Sequence, residues 1–372
     1  MLEAVVPAMV EVYGNASSIH QFGQAAKLRL DAARSQVAEL LRCHPAEVVF
    51  VSGGTEADNL AIFGTLRRNG GPGGKHIITT TIEHPAVLNA CAQMEREGAS
   101  VTYVPVGTSG VVDPEEIRTA LRPGTVLITV MHANNEIGTV QPLEEIGEIA
   151  RKAGVRFHSD GVQAAGKTAI NVQELGVDLY SLSGHKIYAP KGVGVLYVRK
   201  GVELAPVFHG GHHERDRRAG TENVPGAVGM GRAAAEVRAS FSNETARMAD
   251  LRDRFERTLT ERVPGVRVNC GESPRLPNTS NVMFEGIEGE PLLIALDLKG
   301  FAVSSGAACS SGAVEPSHVL TAIGLRRDQA RSCLRFSMGR SNDEEQVDAL
   351  VDAVASAVDR LRRLSPTWSA NV

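Results

Sequence analysis

The chain has 372 residues, 42% hydrophobic and 22% charged, which suits two domains or one large domain with a smaller appendage. A net charge of −4 gives no general attraction to nucleic acid or acidic membranes, and no apolar run approaches the ~18 residues of a membrane span. Five scattered cysteines without a CxxC pair argue against a disulfide framework or structural zinc site and for a reducing, cytoplasmic setting, and the start MLEAVVPAMVEVYG lacks the pattern of a secretory signal.

Residues 1–45 read as helical, with apolar Leu28, Ala32, Val37, Leu40 and Leu41 at helical spacing. Strands and helices then alternate. Strands are predicted at 48–51, 76–80, 101–104, 126–130, 155–158, 179–181 and 194–198, and helices at 56–66, 85–97 and 143–153. That alternation implies βαβ units, hence an α/β fold with a largely parallel sheet flanked by helices. Residues 232–262 read as one long charged amphipathic helix. Beyond it, short strands (266–269, 280–284, 333–337) mix with helices (291–299, 344–364), an α+β pattern for a smaller domain. The expected partition is 12–235 for the large domain, with 1–11 and 236–372 forming the small one.

The polar clusters fall just after predicted strands, where open parallel sheets bind ligands. Lys186 follows the turn Ser183-Gly184-His185 and precedes the strand GVLYV; a lysine held there can form a Schiff base, and pyridoxal phosphate is the usual cofactor carbonyl. Alone, it reads far more readily as a surface lysine in a loop. Ser52-Gly53-Gly54-Thr55-Glu56 follows a strand and opens a helix, so Gly54 and Thr55 suit a phosphate, although Thr also serves as an ordinary helix cap. Ser183 and His185, beside Lys186, suit further phosphate contacts. Asp160 ends a strand and suits a pyridinium nitrogen, or is a turn residue; Gln163 suits the ring's phenolic oxygen. His84 is placed to stack on a planar ring and move protons, or to start a helix. The amides of Asn134 and Asn135 suit a substrate or ring substituent.

In the C-terminal part, Cys309 lies in SSGAACSSGAVEPSHVL, whose Gly, Ser and Ala content reads as an accessible loop offering a nucleophile, against the commoner small buried cysteine. Arg335, on a predicted strand, suits an α-carboxylate or a structural ion pair. His209, His212 and His213 fit no standard zinc spacing, so no metal site is expected. Their glycine-rich segment reads as a loop toward a partner subunit, with Thr221 as a phosphate ligand.

The motifs FVSGGTEADNLAI, EHPAVLNAC, HANNEIGTVQP, FHSDGVQAAGK, SLSGHKIYAPKGVG, RAGTENV, SSGAACSSGAVEPSHVL and LRFSMGR resemble those of NifS/IscS-type cysteine desulfurases, pyridoxal-phosphate enzymes of the class V aminotransferase group with fold type I. The resemblance runs from about Gly14 to Pro366. It implies that Lys186 bonds the cofactor and shuttles protons, that Asp160 and Gln163 pair with the ring, and that His84 stacks on it. It implies that Thr55, Ser183 and His185 hold the phosphate, with Thr221 from the other subunit of a homodimer. Asn135 and Arg335 then orient L-cysteine, and Cys309 takes its sulfur as a persulfide while alanine leaves. Sulfur acceptors or iron–sulfur scaffold proteins are the implied partners, serving cluster assembly or tRNA thiolation. Family members begin with a short strand and an Asn/Ala-Thr-Thr-Pro turn that is absent before Met1, so reduced turnover and a disordered amino-terminal region are expected of a chain starting here. Selenocysteine lyase-type elimination on the same fold and a non-catalytic scaffold are the alternative readings.

Overall fold

A computed structural model describes residues 1–68, 71, 73–305, 316–365 and 368. They group into two units: Met1–Val104, Asp113–Ala133 and Gln141–Phe241 in the first, and Pro105–Val112, Asn134–Val140 and Ser242–Val372 in the second. The expected partition differs in four places. Residues 105–112 fall in the second unit and residues 236–241 in the first. Residues 1–11 fall in the first unit, where the buried Val5 approaches Gly229 closely enough that an added Cβ there would stand 3.1 Å from its Cγ2. Residues 134–140, inside the expected large domain, belong to the second unit.

In the first unit, helix α1 (Leu2–Val10) covers the residues expected to lack order, and α2 (Gln21–Leu41) follows. Residues 11–20 interrupt the helix expected across 1–45. There Gly14 lies so close to Phe22 that a Cβ would stand 2.4 Å from its carbonyl oxygen, and the His20 ring accepts the Gly23 N–H at 3.2 Å to start α2. The β-branched run Val48–Val51 forms β1, then come α3 (Gly54–Arg67), β2 (His76–Thr80), α4 (Pro85–Arg96), β3 (Ser100–Val104), α5 (Pro114–Thr119), β4 (Thr125–Thr129), α6 (Leu143–Ala153), β5 (Arg156–Asp160), β6 (Leu179–Ser183) and β7 (Gly194–Val198). Every residue of β1, β2, β6 and β7 is buried, as strands covered on both faces require.

These strands make one sheet in the order β1-β7-β6-β5-β4-β2-β3. Pairings among β2–β6 are parallel, while β7 is antiparallel to both β6 and β1. Residues 184–193 contain a short 3-10 turn rather than a crossover helix, so the chain doubles back beside β6. As a result β1, β2, β4, β5 and β6 all end on one side. Leu60, Ala61 and Val49 pack with Leu179 and Leu196 over one part of the sheet, and Ile62, Ile77, Val87 and Leu127 over another.

Helix α7 (Val224–Arg262) begins in the first unit and ends in the second. The second unit adds β8 (Val266–Val268), β9 (Thr279–Phe284), α8 (Gly289–Asp297), β10 (Ser304–Ser305), α9 (His318–Ala322), α10 (Arg327–Arg331), β11 (Cys333–Ser337) and α11 (Glu344–Leu364). Its sheet, β10-β11-β9-β8, is antiparallel throughout. Phe255, Phe284, Phe336, Leu292 and Val351 fill its core. Burying each such side chain contributes about 1.5–3 kcal/mol.

Candidate functional site

Four strand ends of the first unit carry the expected cofactor residues. At the end of β1, Gly53 caps α3 without any side-chain hydrogen bond, which leaves the first-turn N–H groups of α3 directed at whatever lies before the helix. Gly54 is required sterically: an added Cβ would lie 2.8 Å from Val162 Cγ2 and 3.5 Å from Ser183 Cβ. The Ser52 N–H donates to Glu56 Oε2 at 2.8 Å, and Arg218 Nε donates to Glu56 Oε1 at 2.9 Å. Glu56 thus ties this loop to the segment before α7, a role that sequence reading did not give it, although an acid in the first turn is a helix-start signal. Thr55 is exposed in the first turn.

After β2, His84 caps α4, its Nδ1 accepting the Ala86 N–H at 3.1 Å. The helix-start reading of this histidine therefore holds, and its charge also acts on Asp160. After β6, Ser183 Oγ and His185 Nδ1 are 2.9 Å apart, and Lys186 is half-buried in the turn that follows. Burial and the neighbouring Lys186 and Lys191 charges hold His185 below the usual histidine range. Gln163 sits half-buried in the turn after β5, and Thr221 is exposed, lining a cleft with Ser52, Gly192 and Arg218.

Asp160 is 6% exposed at the end of β5, and its Oδ1 accepts the Val162 N–H at 2.9 Å. Beneath it lies a polar column that sequence reading missed. His158, two residues earlier on the same face of the strand, contacts Thr129 Oγ1 at 2.8 Å and Ser181 Oγ at 2.9 Å, and stands 3.6 Å from Asp58 Oδ1 of α3. Burial pushes His158 down to about 3, so it is neutral. Asp58 and Glu83 are 1% and 0% exposed. Burial pushes both carboxyls up, Glu83 to about 8, and the charge of Asp160 adds to each shift. Burial raises Asp160 as well, but the Val162 N–H and the charges of His84 and Lys186 pull it back. Three buried acids this close cannot all ionise. The charges of His84 and Lys186 favour the ionised form on Asp160, while burial and the Asp160 charge favour the protonated forms of Asp58 and Glu83. The i, i+2 spacing of His158 and Asp160 was the one sequence signal available.

In the second unit the chain brings Asn135 and Arg335 together across 200 positions: Arg335 Nη1 donates to the Asn135 carbonyl at 2.7 Å. Its Nε is buried and meets no acceptor among the described residues, which suits an incoming carboxylate. Cys309 lies outside the described residues. No group of three or more His, Cys, Asp or Glu capable of holding a metal occurs among the described residues.

An anion-ready helix start beside a glycine, a lysine after a strand and a buried aspartate at a strand end fit a doubly wound enzyme that binds a phosphorylated aromatic aldehyde at its strand ends. The aminotransferase class-V family matches residues 1–350, and the chain belongs to that family, whose cofactor is pyridoxal phosphate. The chain is 48% identical over 366 residues to the cysteine desulfurase IscS of Methanosarcina thermophila, covering 98% of this chain and 90% of that one. With a cysteine desulfurase of Nostoc sp. it shares 47% identity over 98% of its length and 91% of the relative's. A solved NifS-like protein superposes with a TM-score of 0.90 at 37% identity, covering 97% and 95% of the two chains. A structure described as SspA in complex with cysteine gives 0.81 at 37%, covering 91% and 94%. The residues fit the cofactor on this chain's own geometry, because the space at Gly54 and the bare first turn of α3 suit its phosphate and the charge on Asp160 suits its ring nitrogen.

Proposed function

We propose that the chain is an L-cysteine desulfurase that releases L-alanine and keeps the sulfur as a persulfide on Cys309. The reading is carried by one observation: a buried Asp160 at the end of β5, whose carboxylate the charges of Lys186 and His84 favour, in a chain similar to cysteine desulfurases over 98% of its length. When bound, pyridoxal phosphate supplies an electron sink for the substrate's Cα.

The chain's own residues do the rest. Lys186 would hold the cofactor through its carbonyl and would move the proton at the substrate's Cα. Asp160 holds the ring nitrogen as a cation, Gln163 bonds the phenolic oxygen, and His84 covers the ring and accepts protons. The first turn of α3 with Gly54 and Thr55, then Ser183 and His185, grip the phosphate, with Thr221 supplied by a second copy. Arg335 and Asn135 orient the substrate carboxylate. The Cys309 thiolate forms the new S–S bond as the substrate's Cβ–S bond breaks, and the carbon fragment leaves as L-alanine.

A homodimer is supported by the apolar side chains that α1, α2 and the residues between them leave exposed: Leu2 74%, Met9 61%, Tyr13 78%, Ile19 94% and Phe22 66%. The sulfur then passes to an acceptor or iron–sulfur scaffold protein in the cytoplasm, in keeping with unpaired cysteines. Incubation with L-cysteine tests the proposal: alanine should form in step with sulfide, mass spectrometry should place the added sulfur on Cys309, and Lys186→Ala should lose both products and the cofactor's absorption band. Turnover with no sulfur on Cys309, or turnover surviving Lys186→Ala, overturns it.

A further inference from the structure

Glu136 follows Asn135 in the second unit and is 7% exposed. Its position is fixed from several sides. Asn134 Oδ1 accepts the N–H groups of Glu136 and Ile137 at 2.8 and 3.0 Å. The Glu136 carbonyl accepts from Asn281 Nδ2 at 3.2 Å, and Asn281 is the residue paired with Arg335 across β9 and β11. Ser317 Oγ, at the start of α9, donates to Glu136 Oε2 at 2.6 Å. The neighbouring Asn135 carbonyl meanwhile holds Arg335 Nη1. The residue before Glu136 thus holds the half-buried Arg335, whose Nε is buried and keeps no acceptor among the described residues, and the buried Glu136 carboxyl is near enough to act on its charge.

The electrostatics follow from these positions. Burial pushes the Glu136 carboxyl up to about 7, while the Ser317 hydroxyl and the Arg335 charge favour its ionised form. Burial lowers Arg335, and the charge of Glu136 opposes that. Glu136 also acts on Cys333, likewise on β11, which burial pushes up to about 12. From β9 and the start of α9, the uncharged Asn281 and Ser317 bond Glu136, and His318 follows Ser317 in the chain.

We propose that Glu136 is a positioning residue for Arg335: ionised, it offsets the guanidinium charge; on taking up a proton, it leaves that charge to the carboxylate of an arriving amino acid. Substrate and product binding are then coupled to proton uptake by Glu136. The inference rests on Arg335 being the carboxylate receptor of the proposed reaction. An arriving carboxylate claims the cation that had favoured ionised Glu136, so the Glu136 proton affinity rises on binding. A rise of about one pH unit, the low end of what loss of a cationic neighbour produces, corresponds to about a tenfold change in Kd across the titration.

The test uses the cofactor-loaded enzyme and L-alanine, with binding followed by calorimetry in buffers of different ionisation heat. Wild type and Glu136→Gln should bind equally at pH 6, and wild type about tenfold more weakly at pH 8.5. Near pH 7 wild type should take up more protons per alanine bound than Glu136→Gln. Ser317→Ala removes a donor that favours the ionised form, so its weakening should appear at higher pH than in wild type. A Kd ratio constant from pH 6 to 8.5, equal proton uptake in wild type and Glu136→Gln, or an unmoved inflection in Ser317→Ala overturns the proposal. Alanine binding that is lost in Arg335→Ala but shows no such pH difference overturns the coupling alone. Absence of cysteine turnover together with Arg335-independent binding overturns the functional reading as well.

Discussion

Replacing Glu83 by Gln tests where the buried charge sits. Glu83 is 0% exposed, and its Oε1 accepts from Thr80 Oγ1 at 2.7 Å and from the Met131 N–H at 2.9 Å. A glutamine carbonyl can accept the same two bonds. Burial pushes the carboxyl from the ordinary 4.5 up to about 8. A raised folded-state value means that the acid's contribution to stability is fully present below about pH 4.5 and is lost as the pH rises through about 8, because the unfolded chain releases its proton first. At pH 5 the penalty of keeping the proton is about 1 kcal/mol; at pH 8 it is about 4 kcal/mol. Glutamine carries no such penalty. Between pH 5 and pH 8 the stability of Glu83→Gln should therefore gain about 3 kcal/mol on wild type, read as the difference in urea unfolding followed by circular dichroism. A difference that stays flat over that interval would mean that Glu83 is ionised in the folded protein, and the assignment of the negative charge to Asp160 would fail with it.

Gly54→Ala should weaken pyridoxal-phosphate affinity about tenfold or more, since the new methyl would lie 2.8 Å from Val162 Cγ2; unchanged affinity in a spectroscopic titration, with no relief from a companion Val162→Ala, contradicts the cradle. Arg34→Met should destabilise the protein by about 3–5 kcal/mol, because it strands Glu214, whose carboxylate takes two bonds from Arg34 at 2.7 and 2.8 Å and one from the Phe50 N–H at 3.0 Å. Unfolding midpoints matching wild type would show that the pair contributes nothing to the segment before α7.

Much of the fold was readable because its information is local. A run such as Val48–Val51 is apolar and β-branched, and the alternation of such runs with helical periods allows few arrangements besides a parallel sheet. Lys186, Asp160, His84 and Gly54 could be singled out for the same reason, each standing at or soon after the end of a strand. The antiparallel return of β7 was not, since direction depends on the short connection after Ser183 rather than on the composition of the strand. Nor was the break at residues 11–20, where close approach of Gly14 to Phe22 outweighs helical spacing.

By itself, then, the sequence determined which residue types stand at which strand ends, and through them the cofactor class and the reaction to look for. Protonation and pairing were decided only in three dimensions. Asp58, His158 and Glu83 look like unrelated polar residues until they are packed beneath Asp160, and the Ser317–Glu136 bond joins positions 181 apart. A carboxyl's proton depends on the water it has lost and the charges it faces, and both are properties of the folded surroundings rather than of the residues beside it in the chain.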